Sequence, residues 1–299
     1  MKILCFGSLN NDHTFRVEHL VTPGETLTAK QVTTQPGGKG LNQSLALAKA
    51  GAAVSHAGMV GEDGRHLLAL CEQSGVDAHL IRVLGDGALT GQAIIQVSDA
   101  GQNCIVLAPG ANRMITQEYI DDVFDSFEQG DFILLQNEIS CMPEIIDRAY
   151  EKGLVIALNP SPFDEMMKQC DLSKVSWFIM NEIEGGQITG KTKADDILAA
   201  MRELYPKAKV VLTLGGDGSL YADGEQVLKQ GIYKVKALDT TAAGDTFTGF
   251  FLAKILEGGT PAEALDLAAK ASAIAVTRLG ASTSIPTRAE AEAFDGKLA

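Results

Sequence analysis

The sequence predicts an α/β protein whose central, mostly parallel sheet is flanked by helices and accompanied by a small β-sheet lid. Short apolar runs recur along the chain, stretches of helical period lie between them, and two β segments interrupt the alternation. Alternating strands and helices indicate a parallel sheet, and runs without polar alternation indicate strands that are buried on both faces. The clearest predicted strands are 3–9, 132–135, 154–158, 177–180 and 210–214.

Seven stretches of helical period separate or follow these strands. Their apolar side chains recur every three to four residues, which is typical of a helix with one buried face. Pro261 follows Thr260 at the start of the last stretch, where proline fits the first helical turn. The predicted helices are 41–50, 65–73, 117–128, 143–151, 195–204, 245–256 and 261–278.

The two interrupting segments, 14–35 and 90–107, predict a small second sheet. Residues 91–98 and 103–107 have the pattern of a β-hairpin. No stretch rich in Pro, Gly or Ser divides the chain, so we expect one domain over 1–299 with the small sheet as a lid. Because such a sheet has exposed edges and an apolar face, we also expect a homodimer that forms through the lid.

Net charge and cysteine content exclude several classes of protein. The chain has 25 Lys+Arg against 38 Asp+Glu, and a net charge of −13 does not attract nucleic acid or an anionic membrane. Its five cysteines are widely spaced without a C-x-x-C pair, which argues against a disulfide framework or a cysteine zinc site. The first apolar run ends before Asn10, too early for a signal peptide or membrane span. We therefore expect a cytoplasmic protein without nucleic-acid or membrane partners.

Polar residues follow the predicted strands, at the end of the sheet where α/β proteins bind ligands. Carboxylates and amides that converge on one crevice suit a polyhydroxylated ligand, because they exchange hydrogen bonds with several hydroxyls. Turn formation would account for any one of these groups, but their recurrence favours a binding site. The groups are 10–12, 136–138, 159–160, 181–182 and 215–218.

A glycine-rich segment, 36–42, precedes the first predicted helix. Its glycines allow the backbone to approach a ligand closely, and Lys39 and Asn42 can reach hydroxyl groups. It is not a Walker A loop, because Thr33 stands where that motif needs glycine and Gly40 where it needs Ser or Thr. No G-x-G-x-x-G follows the first strand either, which disfavours a nicotinamide dehydrogenase.

The most informative segment is 238–247, in which small residues lead into a predicted helix. N–H groups at a helix N-terminus bind anions, so Ala242, Ala243 and Gly244 are candidates to hold a developing phosphoryl charge. A carboxylate in such a loop would repel phosphate unless it takes a proton from the attacking hydroxyl, which makes Asp245 the candidate base. The alternative is that Asp245 only begins the helix.

Together these residues resemble the ribokinase family of sugar and nucleoside kinases over 7–286. Two signatures of that family carry the resemblance, 37–40 with Asn42 and 239–247. The resemblance implies a ribokinase-like fold and ATP-dependent transfer of the γ-phosphoryl group to the 5-hydroxyl of D-ribose, giving ribose 5-phosphate. It also implies magnesium and potassium as cofactors, and dimers that form through the lids.

The resemblance further implies a role for each matching residue. Asp245 would be the catalytic base, and the anion hole would comprise Ala242, Ala243 and Gly244. Sugar-binding positions, in addition to Asp245, would be Asn10, Asp12, Gly38, Lys39, Asn42 and Glu138. Nucleotide-binding positions, of which Glu184 would also lie near magnesium, would be Asn181, Glu184, Thr213, Gly215, Gly216, Gly218 and Gly244. Potassium would lie among Asp239, Thr241, Ala275, Arg278, Gly280 and Ser284.

The sequence leaves alternatives within and outside this family. A kinase of deoxyribose or of another small sugar would need nearly the same motifs, since a single hydroxyl contact separates ribose from deoxyribose. Ala269 stands where the family often carries Asn or His near the adenine, which leaves the preferred nucleotide open. A different class of protein, a non-catalytic sugar-binding sensor, would be expected to lack Gly244 or Asp245, and both are present.

Overall fold

The computed structural model describes residues 1–298, which form a nine-stranded sheet and a separate four-stranded sheet. Numbered along the chain, the strands of the larger sheet are β1 (Ile3–Phe6), β4 (Val54–Gly61), β5 (Ile81–Leu84), β8 (Phe132–Gln136), β9 (Val155–Asn159), β10 (Trp177–Asn181), β11 (Lys209–Thr213), β12 (Ser219–Ala222) and β13 (Val227–Gln230). Their order is β13-β12-β11-β10-β9-β8-β1-β4-β5. Pairing is parallel throughout except where β12 pairs with β11 and β13.

The four-stranded sheet, called the small sheet below, contains the two predicted β segments. Its strands are β2 (Asn10–Val17), β3 (Gln31–Gly37), β6 (Gly91–Ser98) and β7 (Asn103–Ala108). Their order is β3-β2-β6-β7, and only β2 and β6 are parallel. The small sheet therefore combines chain segments that lie far apart in the sequence.

In the part of the chain that the structure describes, six helices precede the last strand of the larger sheet, and three follow it. They are α1 (Lys39–Lys49), α2 (Arg65–Gln73), α3 (Gln117–Phe124), α4 (Met142–Glu151), α5 (Glu182–Thr189), α6 (Ala194–Leu204), α7 (Ala243–Leu256), α8 (Pro261–Ala275) and α9 (Arg288–Glu292). Within residues 1–298, every helix lacks the combined length and apolar character that crossing a membrane requires.

Two hydrophobic layers cover the two faces of the larger sheet. Side chains of β1 alternate between them, with Ile3 and Cys5 in one layer and Leu4 and Phe6 in the other. Helices α1, α2, α7 and α8 contribute to the first layer, whereas α3, α4 and α6 contribute to the second. Trp177 packs against Phe251 of α7 with ring centroids 5.8 Å apart. The parallel sheet is thus covered on both faces, as its apolar strands require.

The predicted α/β fold with a central, mostly parallel sheet is confirmed, with local differences. The first strand ends at Phe6 rather than at residue 9, and Asn10 already belongs to the small sheet. The chain leaves the larger sheet at Gly7, where a Cβ would contact Gln136 Oε1 and lie 2.7 Å from the Gly40 Cα. The crowding at Gly7 is a tertiary effect, so apolar character alone could not locate the end of the strand.

Two predicted helices are shorter than their periodicity indicates. The helix predicted over 117–128 ends at Phe124. The one predicted over 261–278 ends at Ala275, because the Val276 carbonyl accepts hydrogen bonds from the N–H groups of Leu238 (2.8 Å) and Asp239 (3.2 Å). This contact joins the end of α8 to the loop that leads into α7.

Candidate active site

Two adjoining cavities open where α7 begins, beside the carboxyl ends of β10 and β11. The larger, about 640 Å³, is called the large cavity below, and the smaller, about 270 Å³, the phosphate cavity. Ala243 and Gly244 line both cavities, so the start of α7 separates them. Lys39, Glu184 and Asp245 line the phosphate cavity alone. The large cavity is of the size that holds a ligand of some tens of atoms.

The start of α7 has an unusual backbone. Ala242 adopts a left-handed conformation with φ 58°, which is uncommon for a residue that carries a side chain. The Ala243 N–H donates to the Thr240 carbonyl (3.2 Å), and the Thr246 N–H donates to the Ala242 carbonyl (2.8 Å). First-turn N–H groups have no intrahelical acceptor, so those of Gly244 and Asp245 point out of the helix where an anion would bind.

Asp245 is buried with 8% exposure at this helix start, between α7 and α1. Asn42 Nδ2 donates to its Oδ2 (3.1 Å), and Gln43 Nε2 donates to its Oδ1 (2.9 Å). The two helices approach closely one turn further on, because a Cβ at Gly249 would lie 2.8 Å from the carbonyl carbon of Ala46. The small residue at 249 therefore allows α1 to bring both amides to the carboxylate.

Asn10 and Asp12 lie on β2, the strand of the small sheet nearest the site. Asn112 Nδ2 donates to Asn10 Oδ1 (2.7 Å), and Asn112 Oδ1 accepts from the Leu9 N–H (3.1 Å). Because its oxygen is occupied, Asn10 has its NH2 group left for a ligand. No motif in the sequence marks Asn112, although it is 2% exposed and fixes the chain at the base of the small sheet.

Asp12 lies in an acidic and partly desolvated environment. Burial first, and then the nearby charges of Glu138 and Asp245, together raise its pKa from 3.8 to about 7. Its Oδ1 is buried and, within residues 1–298, accepts no hydrogen bond. Hydroxyl groups of a ligand would supply the missing donors, which makes Asp12 a candidate for sugar binding.

Hydrogen bonds from Ser8 and from the start of α1 hold Glu138 in place. Its Oε2 accepts a short hydrogen bond from Ser8 Oγ and another from the Lys39 N–H (3.0 Å). The Ser8 hydroxyl also accepts from the Gly40 N–H (3.2 Å), so it ties α1 to this carboxylate. Only one oxygen of Glu138 takes part in these bonds, and the other is left for a ligand. No sequence pattern singles out Ser8 for this task.

Lys39 carries the positive charge that this acidic site requires. Burial alone would lower its pKa, but the carboxylates of Asp245, Glu138 and Glu184 outweigh burial and raise it. The ammonium therefore stays charged beside the phosphate cavity that it lines. A cation at this place attracts both a sugar hydroxyl and a phosphoryl oxygen.

Asn181 and Glu184 form a capping box at the start of α5. The Asn181 side chain accepts from the N–H groups of Ile183 (2.8 Å) and Glu184 (3.0 Å), and Glu184 Oε2 accepts from the Asn181 N–H (2.8 Å). Glu184 is 6% exposed and faces the phosphate cavity. A carboxylate held in this way suits indirect, water-mediated contact with magnesium, which retains several waters in proteins.

The large cavity has the features of a nucleotide cleft. Its walls combine a glycine-rich turn after β11 with apolar and aromatic side chains from the segment after β13 and from α8. Ala269 of α8 lines this cavity. The predicted nucleotide-binding residues that line it are Thr213, Gly215, Gly216, Gly218 and Gly244. Tyr233 and Val235, which no sequence motif indicated, also line it.

The candidate potassium residues come from two loops that Asp239 connects. Asp239 Oδ1 accepts from the Thr241 N–H (2.9 Å) and hydroxyl (2.6 Å), and its Oδ2 accepts from the Gly280 N–H (2.9 Å). Burial opposes ionisation of Asp239, but these hydrogen bonds outweigh it and lower the pKa. The Arg278 guanidinium pairs with Glu290 (2.6 Å).

Oxygen donors therefore dominate this candidate cation site. A guanidinium has no acceptor atom, so Arg278 has only its backbone carbonyl to offer to a cation. Ser284 is fully buried and donates its hydroxyl to the Ala281 carbonyl (2.8 Å), so its oxygen retains acceptor capacity. Ala275 also has only a carbonyl, and this carbonyl already accepts from the Arg278 N–H (3.0 Å). Carbonyl, hydroxyl and carboxylate oxygens are ligands of hard cations, so these residues are candidates to hold one.

A buried carboxylate at a helix N-terminus, acceptors for hydroxyls on one side and a nucleotide-sized cleft on the other define a class of protein. This fold with this site is that of a carbohydrate kinase. The chain belongs to the pfkB family: the profile described as "pfkB family carbohydrate kinase" matches residues 1–288.

Individual relatives agree with this family. The ribokinase of Haemophilus influenzae is 36% identical over 297 residues, which cover 96% of each chain. The deoxyribokinase of Salmonella typhi is 29% identical over 298 residues, again 96% of each chain. The structure of Arabidopsis thaliana ribokinase complexed with ribose and ATP superimposes with a TM-score of 0.84 and 29% identity, covering 97% of each chain.

Proposed function

We propose that this protein is an ATP-dependent kinase that phosphorylates the 5-hydroxyl of D-ribose to give ribose 5-phosphate. The observation that carries the proposal is the position of Asp245, buried at the start of α7 and facing the phosphate cavity. The similarity to ribokinases, one of them in complex with ribose and ATP, supports ribose as the sugar and ATP as the donor. Net charge and composition by themselves do not select a sugar.

The proposed reaction divides the site into three parts. Asn10, Asp12, Gly38, Lys39, Asn42 and Glu138 would hold the sugar, and Asp245 would take the proton of its 5-hydroxyl. The sugar oxygen then forms a bond to the γ-phosphorus while the bond from that phosphorus to the bridging oxygen breaks, which releases ADP. The N–H groups at the start of α7, after Ala242, would stabilise the charge that develops on the transferred group.

The nucleotide and the metal ions complete the proposal. ATP would occupy the large cavity and extend its phosphates into the phosphate cavity. Its contacts would be Asn181, Glu184, Thr213, Gly215, Gly216, Gly218 and Gly244. Magnesium bound with the nucleotide would neutralise phosphate charge, and Glu184 would hold it through water. Potassium would be held by Asp239, Thr241, Ala275, Arg278, Gly280 and Ser284 and would fix the loop that precedes α7. Activity in choline buffer should then fall and recover when potassium is added.

Replacement of Asp245 by asparagine tests the base. We expect Asp245→Asn to lower kcat for ribose about 10²- to 10⁴-fold, because the amide cannot accept the proton. Asp196→Asn is a matched control, since Asp196 is also the third residue of its helix but is exposed. Release of ADP from ATP and ribose is the measurement. Full turnover by Asp245→Asn would remove Asp245 from this role.

Deoxyribose is the second candidate substrate, and the similarity to a deoxyribokinase favours it over other sugars. A panel of pentoses, deoxypentoses and ketohexoses in the same assay decides between them, through the ratio of kcat/KM values. A protein that binds ribose but releases no ADP with any sugar would instead be a sensor. The presence of both Gly244 and Asp245 argues against that outcome.

We also propose that the chain is one domain whose small sheet acts as a lid and joins two copies in a homodimer. Both faces of the small sheet carry exposed apolar side chains. Val32, Ile94 and Val106 lie on one face, whereas Ile105 and Leu107 lie on the face that also carries Asp12. Association would remove this apolar surface from water.

A further inference from the structure

Two glutamine side chains form a buried chain of hydrogen bonds that ends on Asp245. Gln136 Nε2 donates to Gln43 Oε1 (2.7 Å), and Gln43 Nε2 donates to Asp245 Oδ1 (2.9 Å). Gln43 is 1% exposed and Gln136 is 0% exposed. Among residues 1–298, neither glutamine lines either cavity. Both therefore lie behind the carboxylate rather than beside a ligand.

The carboxylate determines which way each amide in this series of hydrogen bonds is turned. An ionised carboxylate only accepts hydrogen bonds, so Gln43 turns its NH2 group toward Asp245 and its carbonyl oxygen toward Gln136. Gln136 must then present its own NH2 group, which leaves its Oε1 buried and, among residues 1–298, without a donor. An unpaired buried acceptor destabilises a fold. The unpaired oxygen is therefore the consequence of directing both amides toward Asp245.

Neutral amides are well suited to orienting a base. A cation in contact with the carboxylate would stabilise its charged form strongly and weaken it as a proton acceptor. Amide donors fix its orientation without adding charge, and Asn42 Nδ2 holds the second oxygen in the same way (3.1 Å). With one amide on each oxygen, rotation of the carboxylate would break both hydrogen bonds.

We propose that Gln43 is a positioning residue for proton transfer to Asp245 and that Gln136 acts through Gln43. The inference rests on the proposed function, because it concerns the base of that reaction. A general base is effective only within hydrogen-bond reach of the hydroxyl, and a misplacement of about 1 Å costs up to about 10²-fold in rate. Loss of these hydrogen bonds should therefore change kcat rather than the binding of substrates.

A double-mutant cycle with methionine, which has a similar length and no amide, tests the proposal. We expect Gln43→Met to lower kcat about 10- to 100-fold, with both KM values within about threefold of the parent. Gln136→Met should lower kcat by a smaller factor, about 3- to 10-fold, since Asn42 and Gln43 still hold the carboxylate. The double variant should resemble Gln43→Met alone, because Gln136 acts only through Gln43.

Two further variants separate positioning from packing. Ser44→Ala is the matched control. Ser44 is the next residue of α1, is equally buried, and forms a hydrogen bond with His56 Nδ1 (2.7 Å) rather than with Asp245. The kcat of this variant should be unchanged. Gln43→Glu keeps the shape of the side chain but loses the donor, so its kcat should fall at least as far as that of Gln43→Met. Thermal unfolding midpoints identify any variant that fails to fold, and Gln136→Met then carries the test.

Unchanged kcat in Gln43→Met, an effect on KM alone, or multiplicative effects of the two methionine variants would each overturn the inference. An inactive Asp245→Asn beside a fully active Gln43→Met would reject the inference and leave the proposed function standing. An Asp245→Asn protein with full turnover would reject both.

Discussion

At the residue scale, the site concentrates negative charge where its ligands carry hydroxyl groups. Asp12, Glu138 and Asp245 are close enough to influence one another, and burial with these charges raises the pKa of Asp12 to about 7. The free protein tolerates this arrangement because Lys39 stays charged beside it. Bound hydroxyls would donate to the carboxylates and replace hydrogen bonds to water that burial removes.

The raised pKa of Asp12 predicts that replacing this residue increases the stability of the protein and weakens its affinity for the sugar. The folded protein retains a proton on Asp12 up to about pH 7, whereas the ordinary value is 3.8, so the free energy of unfolding falls as pH rises between these values. Asp12→Asn removes this loss and should stabilise the sugar-free protein at pH 8 by on the order of 1 kcal/mol. The same change should raise KM for the sugar.

Thermal unfolding at pH 4.5 and pH 8, with sugar absent, measures the first effect. The gain should be present at pH 8 and small at pH 4.5, where the carboxyl is protonated in the folded protein. Asp196→Asn, at an exposed position, should change the midpoint at neither pH. A variant Asp12→Asn that is less stable at pH 8 would show that the carboxylate is not under electrostatic strain.

At the element scale, the contact between α1 and α7 assembles the candidate reactive groups. Asn42 and Gln43 on α1 reach Asp245 on α7, and one turn further along each helix Ala46 lies against Gly249. A Cβ at 249 would also lie 2.8 Å from the Leu47 nitrogen, so the neighbouring backbone would have to move. The separation of the two helices is thus fixed one turn away from the chemistry.

Enlarging residue 249 should therefore impair both stability and rate. We expect Gly249→Val to lower the free energy of unfolding by about 1–3 kcal/mol, since overpacking displaces backbone. kcat/KM for the sugar should fall about 10-fold or more as Asn42 and Gln43 move from Asp245. Gly224→Val is the control, because a Cβ at Gly224 meets only open space. Equal kcat/KM values in the two variants would contradict this role of the helix contact.

At the scale of the whole molecule, the small sheet exposes apolar side chains on its edge strand β7. Val106 is 63% exposed and Ile105 is 53% exposed on β7, which forms one edge of the small sheet. Edge strands with exposed apolar side chains favour pairing with a second chain. The proposed dimer would cover them and would fix the small sheet beside the sugar site.

Lysine substitutions on β7 test the dimer. We expect the double variant Ile105→Lys/Val106→Lys to elute as a monomer in gel filtration over a range of concentrations in which the parent is a dimer. Its KM for the sugar should rise, because a small sheet without its partner orders less readily over the site. The control Leu204→Lys/Val227→Lys changes two residues of similar exposure outside the small sheet and should leave the dimer intact. A parent protein that is monomeric throughout would refute the dimer.

The sequence by itself determined the fold class and indicated which residues are candidates for the site. Uninterrupted apolar runs and amphipathic stretches predicted the parallel sheet and most helices, because burial on two faces or on one leaves a local pattern. The segments around Gly38 and Gly244 predicted kinase chemistry, since their residues are contiguous. The capping box that begins α5 at Asn181 was equally local, but α5 lacks an apolar stripe and was not predicted.

Only the tertiary structure decided which long-range contacts position the residues of these motifs. The end of β1 at Phe6, the hydrogen bond of Ser8 to Glu138, the support of Asn10 by Asn112, and the chain from Gln136 through Gln43 to Asp245 all join residues that are far apart in sequence. Such contacts arise from the packing of one element on another and have no period or spacing of their own. The sequence therefore indicated which groups are candidates to react, and the packing of the elements specified how they are held.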